Sequence, residues 1–146
     1  GLFITEVLGT RKYSNQPRGC ALSYLVHYMG RFVPKEAKAQ WNLYKKYMMT
    51  RIMGKTGFRE FLPDYDGSWT PDSGPIIAGV GIAATGLALN GASTIGDKKT
   101  YRALEKSMNP VHSLLIKGNV IPGINKVSKI GTDLLSSAIW LNAETK

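Results

Sequence analysis

One stretch of small, uncharged residues constrains the fold of this chain more than any other feature. Residues 72–91 read DSGPIIAGVGIAATGLALNG, and after the opening aspartate they hold no charged side chain. A helix that is apolar on every side must be surrounded by protein or by lipid. Each glycine in a water-exposed helix costs up to about 1 kcal/mol relative to alanine. The stretch therefore predicts the inner helix of a layered all-α domain, closely approached by its neighbours.

A buried helix and a membrane helix are the two alternatives for this stretch. The uncharged run from Gly74 to Leu89 is shorter than the roughly 20 residues that a spanning helix needs. It holds few bulky side chains, and charged residues flank it at Asp72 and at 97–99. These features favour a helix buried in protein, and the membrane segment stays open as the weaker alternative.

The chain has a formal net charge of +9, which permits binding to a membrane surface, nucleic acid or acidic polysaccharide. The lysines and arginines are scattered along the chain, however, and no nucleic-acid motif is present. A solvated outer face is the simpler interpretation, and a functional basic patch is the alternative. Cys20 is the single cysteine, which excludes an internal disulfide, and the two histidines are too far apart in sequence to form a metal site. We expect no cofactor and no nucleic-acid partner.

Hydrophobic spacing and helix-capping residues predict a series of helices. An apolar helix over 18–30 precedes an amphipathic helix over 34–50, which Pro34 begins. Residues 51–71 are predicted to be a long linker loop, a type of segment that is often functional. Helices over 73–91 and 97–108 follow, the second capped by Asp97 and ended by Asn109-Pro110. A short helix over 111–116, a loop over 117–131 and a last helix over 132–142 complete the prediction.

These helices form a weak repeat in which an apolar helix is followed by a polar one. Residues 18–50 and 73–108 are the two complete pairs, and the helix over 132–142 begins a third. Repeated hairpins that bury one helix and expose the other build solenoids or closed α/α toroids. The fold class predicted is therefore all-α, with repeated helical hairpins forming part of an α/α toroid.

The segments RGCALSY, WNLYKKYM, GFREF and DSGPIIAGVGIAATG follow one another in this chain. In this order they resemble the last helical hairpins of the α/α-toroid domain in bacterial envelope proteins related to linalool dehydratase/isomerase. The resemblance covers roughly residues 15–140 and implies a cell-envelope setting. It also implies that residues 1–146 are either a single α-helical domain or the C-terminal fragment of a larger toroid. Further copies or upstream segments are then the expected partners that complete the helical core.

In α/α toroids the loops that lead into inner helices gather at one rim, which is where a cleft forms. Acidic, basic and aromatic residues of these loops are the candidates for function. We predict catalytic roles for Asp66 and Asp72 and substrate-binding roles for Arg18, Arg59, Glu60, Tyr65 and Trp69. Other residues expected at the same rim are Tyr13, Asn15, Asp64, Ser73 and Asp133. Paired carboxylates are the groups that cleave glycosidic bonds, and aromatic rings stack on sugars.

Each candidate also has a simpler explanation. Asp72 is of the type that caps a helix, and Asp64, Asp66 and Gly67 are typical of a turn. Cys20 is expected to be a small buried core residue rather than a nucleophile. His27 is expected to be a satisfied core or interface histidine.

Two functions remain side by side at this point. The first is an enzyme-like domain that acts on or binds carbohydrate or a related polar substrate at the rim. The second is a non-catalytic structural or interaction domain, at a membrane or other anionic surface or in a larger assembly.

Overall fold

The computed structural model describes residues 1–3, 7–8, 12–13, 16–65 and 73–116. These residues are mostly helical and form two helical hairpins together with three small antiparallel strand pairs. The helices are α1 (Gly19–Phe32), α2 (Pro34–Met48), α3 (Ile82–Ile95) and α4 (Lys98–Ile116). The strands are β1 (Val7–Leu8), β2 (Lys12–Tyr13), β3 (Met49–Ile52), β4 (Lys55–Phe58), β5 (Ile76–Ile77) and β6 (Val80–Gly81). The predicted loop over 117–131 and helix over 132–142 lie outside the described residues.

The first hairpin confirms the two helices predicted within residues 18–50, except that α2 ends at Met48 and residues 49–50 belong to β3. Val33 alone separates α1 from α2, and Pro34 is the first residue of α2, where its missing N–H costs nothing. Glu36 lies in the first turn of α2 and Lys45 and Lys46 lie in its last turn, as the helix dipole favours.

The inner helix α3 begins later than its sequence indicates. The prediction that the helix starts at residue 73 is wrong, because β5 and β6 pair through a turn before Ile82. Ala78 and Gly79 have φ angles of 49° and 81°, and the left-handed backbone cannot continue a right-handed helix. The β-branched Ile76 and Ile77 suit a strand.

From Ile82 onward α3 is the buried helix that the sequence predicts. Ala84, Ala88 and Ala92 are fully buried, and α3 packs mainly against α1. A Cβ added at Gly91 would lie 3.4 Å from the Trp41 ring and 3.5 Å from Val26, so these two side chains pack close to α3 at this glycine. Across the described residues, no helix has both the length and the apolar character to span a membrane.

The predicted loop over 51–71 begins with a strand instead. Residues 49–58 form the hairpin β3–β4, in which Met49 pairs with Phe58. Phe58 is fully buried and stacks on Tyr44 of α2 at a ring separation of 4.2 Å, with Trp41 at 5.4 Å. The hairpin is therefore part of the core that packs against α2. The Gly- and Pro-rich composition of residues 51–71 does not indicate this burial.

Helix α4 continues through Asn109-Pro110, where the sequence predicts a break and a separate helix over 111–116. A proline inside a helix leaves the carbonyl four residues earlier without its N–H donor. That carbonyl belongs to Lys106, and it accepts a hydrogen bond from Nζ of Lys55 at 3.3 Å. A side chain of β4 thus replaces the missing backbone donor.

Asp97 caps α4, as predicted, and also joins α4 to α2. Its carboxylate accepts hydrogen bonds from the Thr100 backbone N–H at 3.1 Å, from Nε1 of Trp41 at 3.0 Å and from Nζ of Lys45 at 2.6 Å. Burial alone would raise the pKa of Asp97, but the donors from Lys45, Trp41 and Thr100 outweigh it and lower that pKa.

We expect Asp97→Ala to lower the free energy of unfolding by about 2 kcal/mol at pH 7, because it removes a cap and leaves Trp41 Nε1 without its acceptor. A carboxyl with a lowered folded pKa stabilises above its unfolded pKa, and this contribution is lost as pH falls through the folded pKa. The deficit of the variant should therefore shrink below about pH 4. Urea unfolding at pH 7 and pH 3 measures this loss of stability. A loss that is larger at pH 3 than at pH 7 would contradict the lowered pKa of Asp97.

Candidate functional site

A buried carboxylate from the segment after β4 meets two residues at the start of α1. We call Arg18, Cys20 and Glu60 the Glu60 cluster. Glu60 follows the end of β4 by two residues and is 0% exposed. Arg18 and Glu60 were both predicted to bind substrate, and their side chains contact each other.

The Glu60 carboxylate is surrounded by hydrogen-bond donors. Oε2 accepts from the backbone N–H of Cys20 at 3.2 Å, and Oε1 accepts from Sγ of Cys20 at 3.0 Å. Nε and Nη2 of Arg18 lie 3.2 Å and 3.1 Å from Oε1. A buried charge is tolerated only when it is paired and hydrogen-bonded in this way.

Glu60 takes the place of a local helix cap. Arg18 stands at the N-cap position of α1 and gives no side-chain cap. Instead, the backbone N–H of Gly19 donates to the Glu60 carbonyl at 2.8 Å, while the carboxylate accepts from Cys20. Two of the donors that a helix start leaves unsatisfied are thus provided for by a residue about 40 positions away in sequence.

Gly19 allows this close approach between α1 and the chain after β4. A Cβ at Gly19 would lie 2.1 Å from the carbonyl oxygen of Arg59 and 2.9 Å from Cβ of Ala84. Neither distance is compatible with a side chain, so the contact between the helix start and Glu60 requires glycine.

The protonation of the cluster follows from its burial. Burial raises the pKa of Glu60, and the hydrogen bonds from Cys20 and the positive charge of Arg18 offset only part of this rise. Tyr44 lies in the next layer and donates a hydrogen bond to the Gly19 carbonyl at 2.9 Å. Burial raises the pKa of Tyr44 well above its usual value, and the Glu60 charge raises it further. Tyr44 is therefore uncharged and donates its hydrogen bond to the backbone at the start of α1, next to the cluster.

An aromatic pair forms the outer side of the cluster. The guanidinium of Arg18 lies 5.8 Å from the centre of the Phe61 ring, and the rings of Phe61 and Tyr65 are 5.3 Å apart. Tyr65 is exposed, so the predicted ligand-binding residues Arg18 and Tyr65 lie at one surface with Phe61 between them. We call Arg18, Phe61 and Tyr65 the aromatic rim.

Three further predicted site residues, Arg59, Asp64 and Ser73, lie within the described part of the chain. The Arg59 guanidinium packs beside Gly79, where a Cβ would lie 2.6 Å from Nη1. Asp64 is exposed, and Ser73 is buried with Oγ donating to the Gly74 carbonyl. The side chain of Tyr13 and the residues Asn15, Asp66, Trp69, Asp72 and Asp133 lie outside the described part of the chain.

The Glu60 cluster fixes the start of α1 and leaves no carboxylate surface exposed to a substrate. Its carboxylate has no exposed surface, and the donors around it belong to the protein. A general acid or base must come within hydrogen-bond reach of the substrate proton. Among the residues that the structure describes, no group of three acidic, histidine or cysteine side chains is arranged to hold a metal ion.

Cys20 and His27 are both buried, as expected for a small core cysteine and for a core or interface histidine. His27 is buried, and its Nδ1 lies 2.7 Å from Oγ1 of Thr94 on α3. The contact of Cys20 with Glu60 was not predicted. No local pattern reports it, because it depends on the hairpin β3–β4 returning Glu60 to the start of α1.

A second candidate surface is formed by charge. Between them, α2, β3, β4 and α4 hold ten basic residues against two acidic ones, Glu36 and Glu105. The basic residues are Lys35, Lys38, Lys45, Lys46, Arg51, Lys55, Lys98, Lys99, Arg102 and Lys106. By contrast, Arg31 is the one lysine, arginine or acidic residue in α1, and α3 has none. We call α2, β3, β4 and α4 together the cationic layer.

Comparisons of the chain with protein-family models, with curated proteins and with solved structures gave no match. The geometry of the Glu60 cluster, the aromatic rim and the cationic layer therefore carries the functional inference.

Proposed function

We propose that this chain is a non-catalytic interaction module that attaches to an anionic surface through its cationic layer. The observation that carries this proposal is the segregation of charge. The cationic layer holds ten basic residues, of which Lys45 is paired with Asp97, whereas α1 and α3 together hold only Arg31. A surface with one sign of charge raises the local concentration of partners with the opposite sign.

The burial and hydrogen bonds of the Glu60 cluster support a structural role for it. Its carboxylate is used to cap α1 and to pair with Arg18. A substrate would have to displace the Cys20 and Arg18 donors before it reached the carboxylate. The cluster therefore suits a scaffold better than an active site.

We also propose that the two hairpins are units of an α/α toroid. Support comes from the arrangement of α1 and α3, which are adjacent inner helices joined to the outer helices α2 and α4. Tyr24, Tyr28 and Phe32 recur every four residues on α1 and are exposed. In a toroid this aromatic face is covered by the inner helix of a further hairpin, from another copy or an upstream segment.

The aromatic rim favours a second candidate function, which is carbohydrate binding or turnover. The exposed Tyr65 ring lies next to Phe61, whose ring is itself covered by the Arg18 guanidinium, and an exposed aromatic ring suits a sugar face. Under this candidate, Asp66 and Asp72 supply the catalytic carboxylates and Trp69 and Arg59 add further contacts. Neutral oligosaccharide binding that Tyr65→Ala abolishes would favour this function, as would turnover lost in Asp66→Asn with Asp72→Asn.

Matched charge reversals test the anionic-surface proposal. Arg102 on α4 and Arg31 on α1 are both exposed, and each Arg→Glu change alters the net charge equally. We expect Arg102→Glu to weaken binding of the full chain to immobilised heparin about ten-fold, because removing and reversing a charge at the contact costs on the order of 1–2 kcal/mol. Arg31→Glu should change binding less than about three-fold. Equal losses in both variants would show that net charge alone governs binding, and the proposal would fail.

A further inference from the structure

The turn between β3 and β4 holds an apolar residue where the backbone disfavours it. Met53 and Gly54 are the two turn residues, and their φ angles are 50° and 77°. Positive φ at both positions marks a type I′ turn, for which Asn-Gly is the preferred sequence. A non-glycine residue in the left-handed region is uncommon, and asparagine or aspartate occupies it most readily. Methionine is therefore not the residue that the turn itself selects.

The Met53 side chain has no role in the core either. It is 97% exposed, the highest fraction among the large hydrophobic residues that the structure describes as exposed. Met49 and Arg51, which lie on one face of β3, are also exposed, so an apolar side chain and a cation precede Met53 at the protein surface. An unstrained polar residue would suit the fold better, which points to contact with something outside the protein.

The surroundings of the turn are basic. Arg51 and Lys55 flank Met53 in the hairpin, and Nζ of Lys55 reaches the Lys106 carbonyl on α4. Lys99, Arg102 and Lys106 follow one another at spacings of three and four residues, so they lie along one face of α4. The Lys55 contact joins the apolar turn to this row of cations.

We propose that the β3–β4 turn inserts Met53 into the surface of a bilayer that contains anionic lipid, while Arg51, Lys55 and Lys106 contact the lipid headgroups. This inference rests on the proposed attachment to an anionic surface and names that surface. Basic residues near an anionic leaflet are attracted to it, and an apolar side chain gains by leaving water. A nucleic acid would use the cations, but Met53 could leave water there only by unstacking bases, which costs a few kcal/mol per step.

The test uses the full chain and sedimentation with vesicles of phosphatidylcholine alone or of phosphatidylcholine with phosphatidylglycerol. We expect binding to the second vesicles and little to the first. Met53→Asn should weaken binding to phosphatidylglycerol vesicles about ten-fold, because insertion of the side chain is lost. It should leave heparin binding unchanged, since every cation is kept. Asparagine suits the left-handed turn, so the hairpin should fold as well as before.

Two further variants complete the design. Phe32→Asn removes an apolar side chain that is 81% exposed but lies on α1, outside the cationic layer, and it should leave vesicle binding unchanged. Met53→Leu keeps an apolar side chain at the turn and should retain vesicle binding.

The outcomes separate the two proposals. If Met53→Asn binds phosphatidylglycerol vesicles as the wild type does, insertion is refuted and attachment through charge stands. If heparin or an oligonucleotide is bound through Arg102 but anionic vesicles are not, the lipid assignment fails and the proposed function stands. If no anionic surface distinguishes Arg102→Glu from Arg31→Glu, both fail.

Discussion

We expect Glu60→Ala to lower the free energy of unfolding by about 3 kcal/mol or more, which is a large share of the stability of a domain of this size. The variant leaves the Arg18 charge without its carboxylate in a mostly buried position. It also leaves the Cys20 backbone N–H without an acceptor at the start of α1. Urea unfolding followed by far-ultraviolet circular dichroism measures the change.

Asp64→Ala is the matched control for Glu60→Ala. Asp64 lies four residues further along the same segment, and it is exposed. Its removal should change the free energy of unfolding by no more than about 0.5 kcal/mol. If the two alanine variants are equally stable, the Glu60 cluster does not anchor α1.

The pH dependence provides a second readout for Glu60. Its pKa is raised in the fold, so the folded state holds the proton more tightly than the unfolded chain does. Its contribution to stability is greatest below the unfolded pKa of about 4.3 and decreases as pH rises through the raised folded pKa. Glu60→Gln cannot titrate and should lack this decrease. A difference between wild type and Glu60→Gln that stays constant from pH 4 to pH 8 would contradict the raised pKa.

Gly19→Ala is expected to lower the free energy of unfolding by about 3 kcal/mol. The new methyl group would lie 2.1 Å from the Arg59 carbonyl oxygen, and that atom belongs to the backbone. Overpacking of this kind costs typically 1–3 kcal/mol, and here it also separates Glu60 from the α1 N–H groups that it caps. Thermal and urea unfolding of the variant measure the loss.

Gly91→Ala makes the same chemical change on α3 with the opposite expectation. Its Cβ would lie 3.4 Å from the Trp41 ring, which is ordinary van der Waals contact. Alanine is also favoured over glycine inside a helix by up to about 1 kcal/mol. Gly91→Ala should therefore be neutral or slightly stabilising, and a loss as large as that of Gly19→Ala would show that general crowding, rather than the Arg59 contact, sets the cost.

Features controlled by neighbours in sequence could be predicted from the sequence. Pro34 marks the start of α2, and Asp97 caps α4, because capping depends on residues within one helical turn. The burial of α3 follows from its small, uncharged residues. Such signals identify the helices and their inner or outer position.

Features that depend on contacts distant in sequence were missed or misplaced. Helix α4 passes through Pro110, and the Lys106 carbonyl accepts a hydrogen bond from Lys55 on β4, a contact that no local pattern reveals. Gly54 and Gly57 make the β3–β4 segment resemble a loop in sequence. The same ten residues nevertheless form a hairpin in which Phe58 is buried. The sequence predicted Arg18 and Glu60 as site residues but not their pairing, since the fold alone brings them together.

Hydrogen–deuterium exchange of the full chain, with and without vesicles of phosphatidylcholine and phosphatidylglycerol, tests the central claim that the cationic layer is the contact surface. We predict slower exchange in β3–β4 and in α4 when the vesicles are present, and unchanged exchange in α1. Protection confined to α1 or to the aromatic rim at Phe61 and Tyr65, with β3–β4 and α4 unaffected, would contradict it.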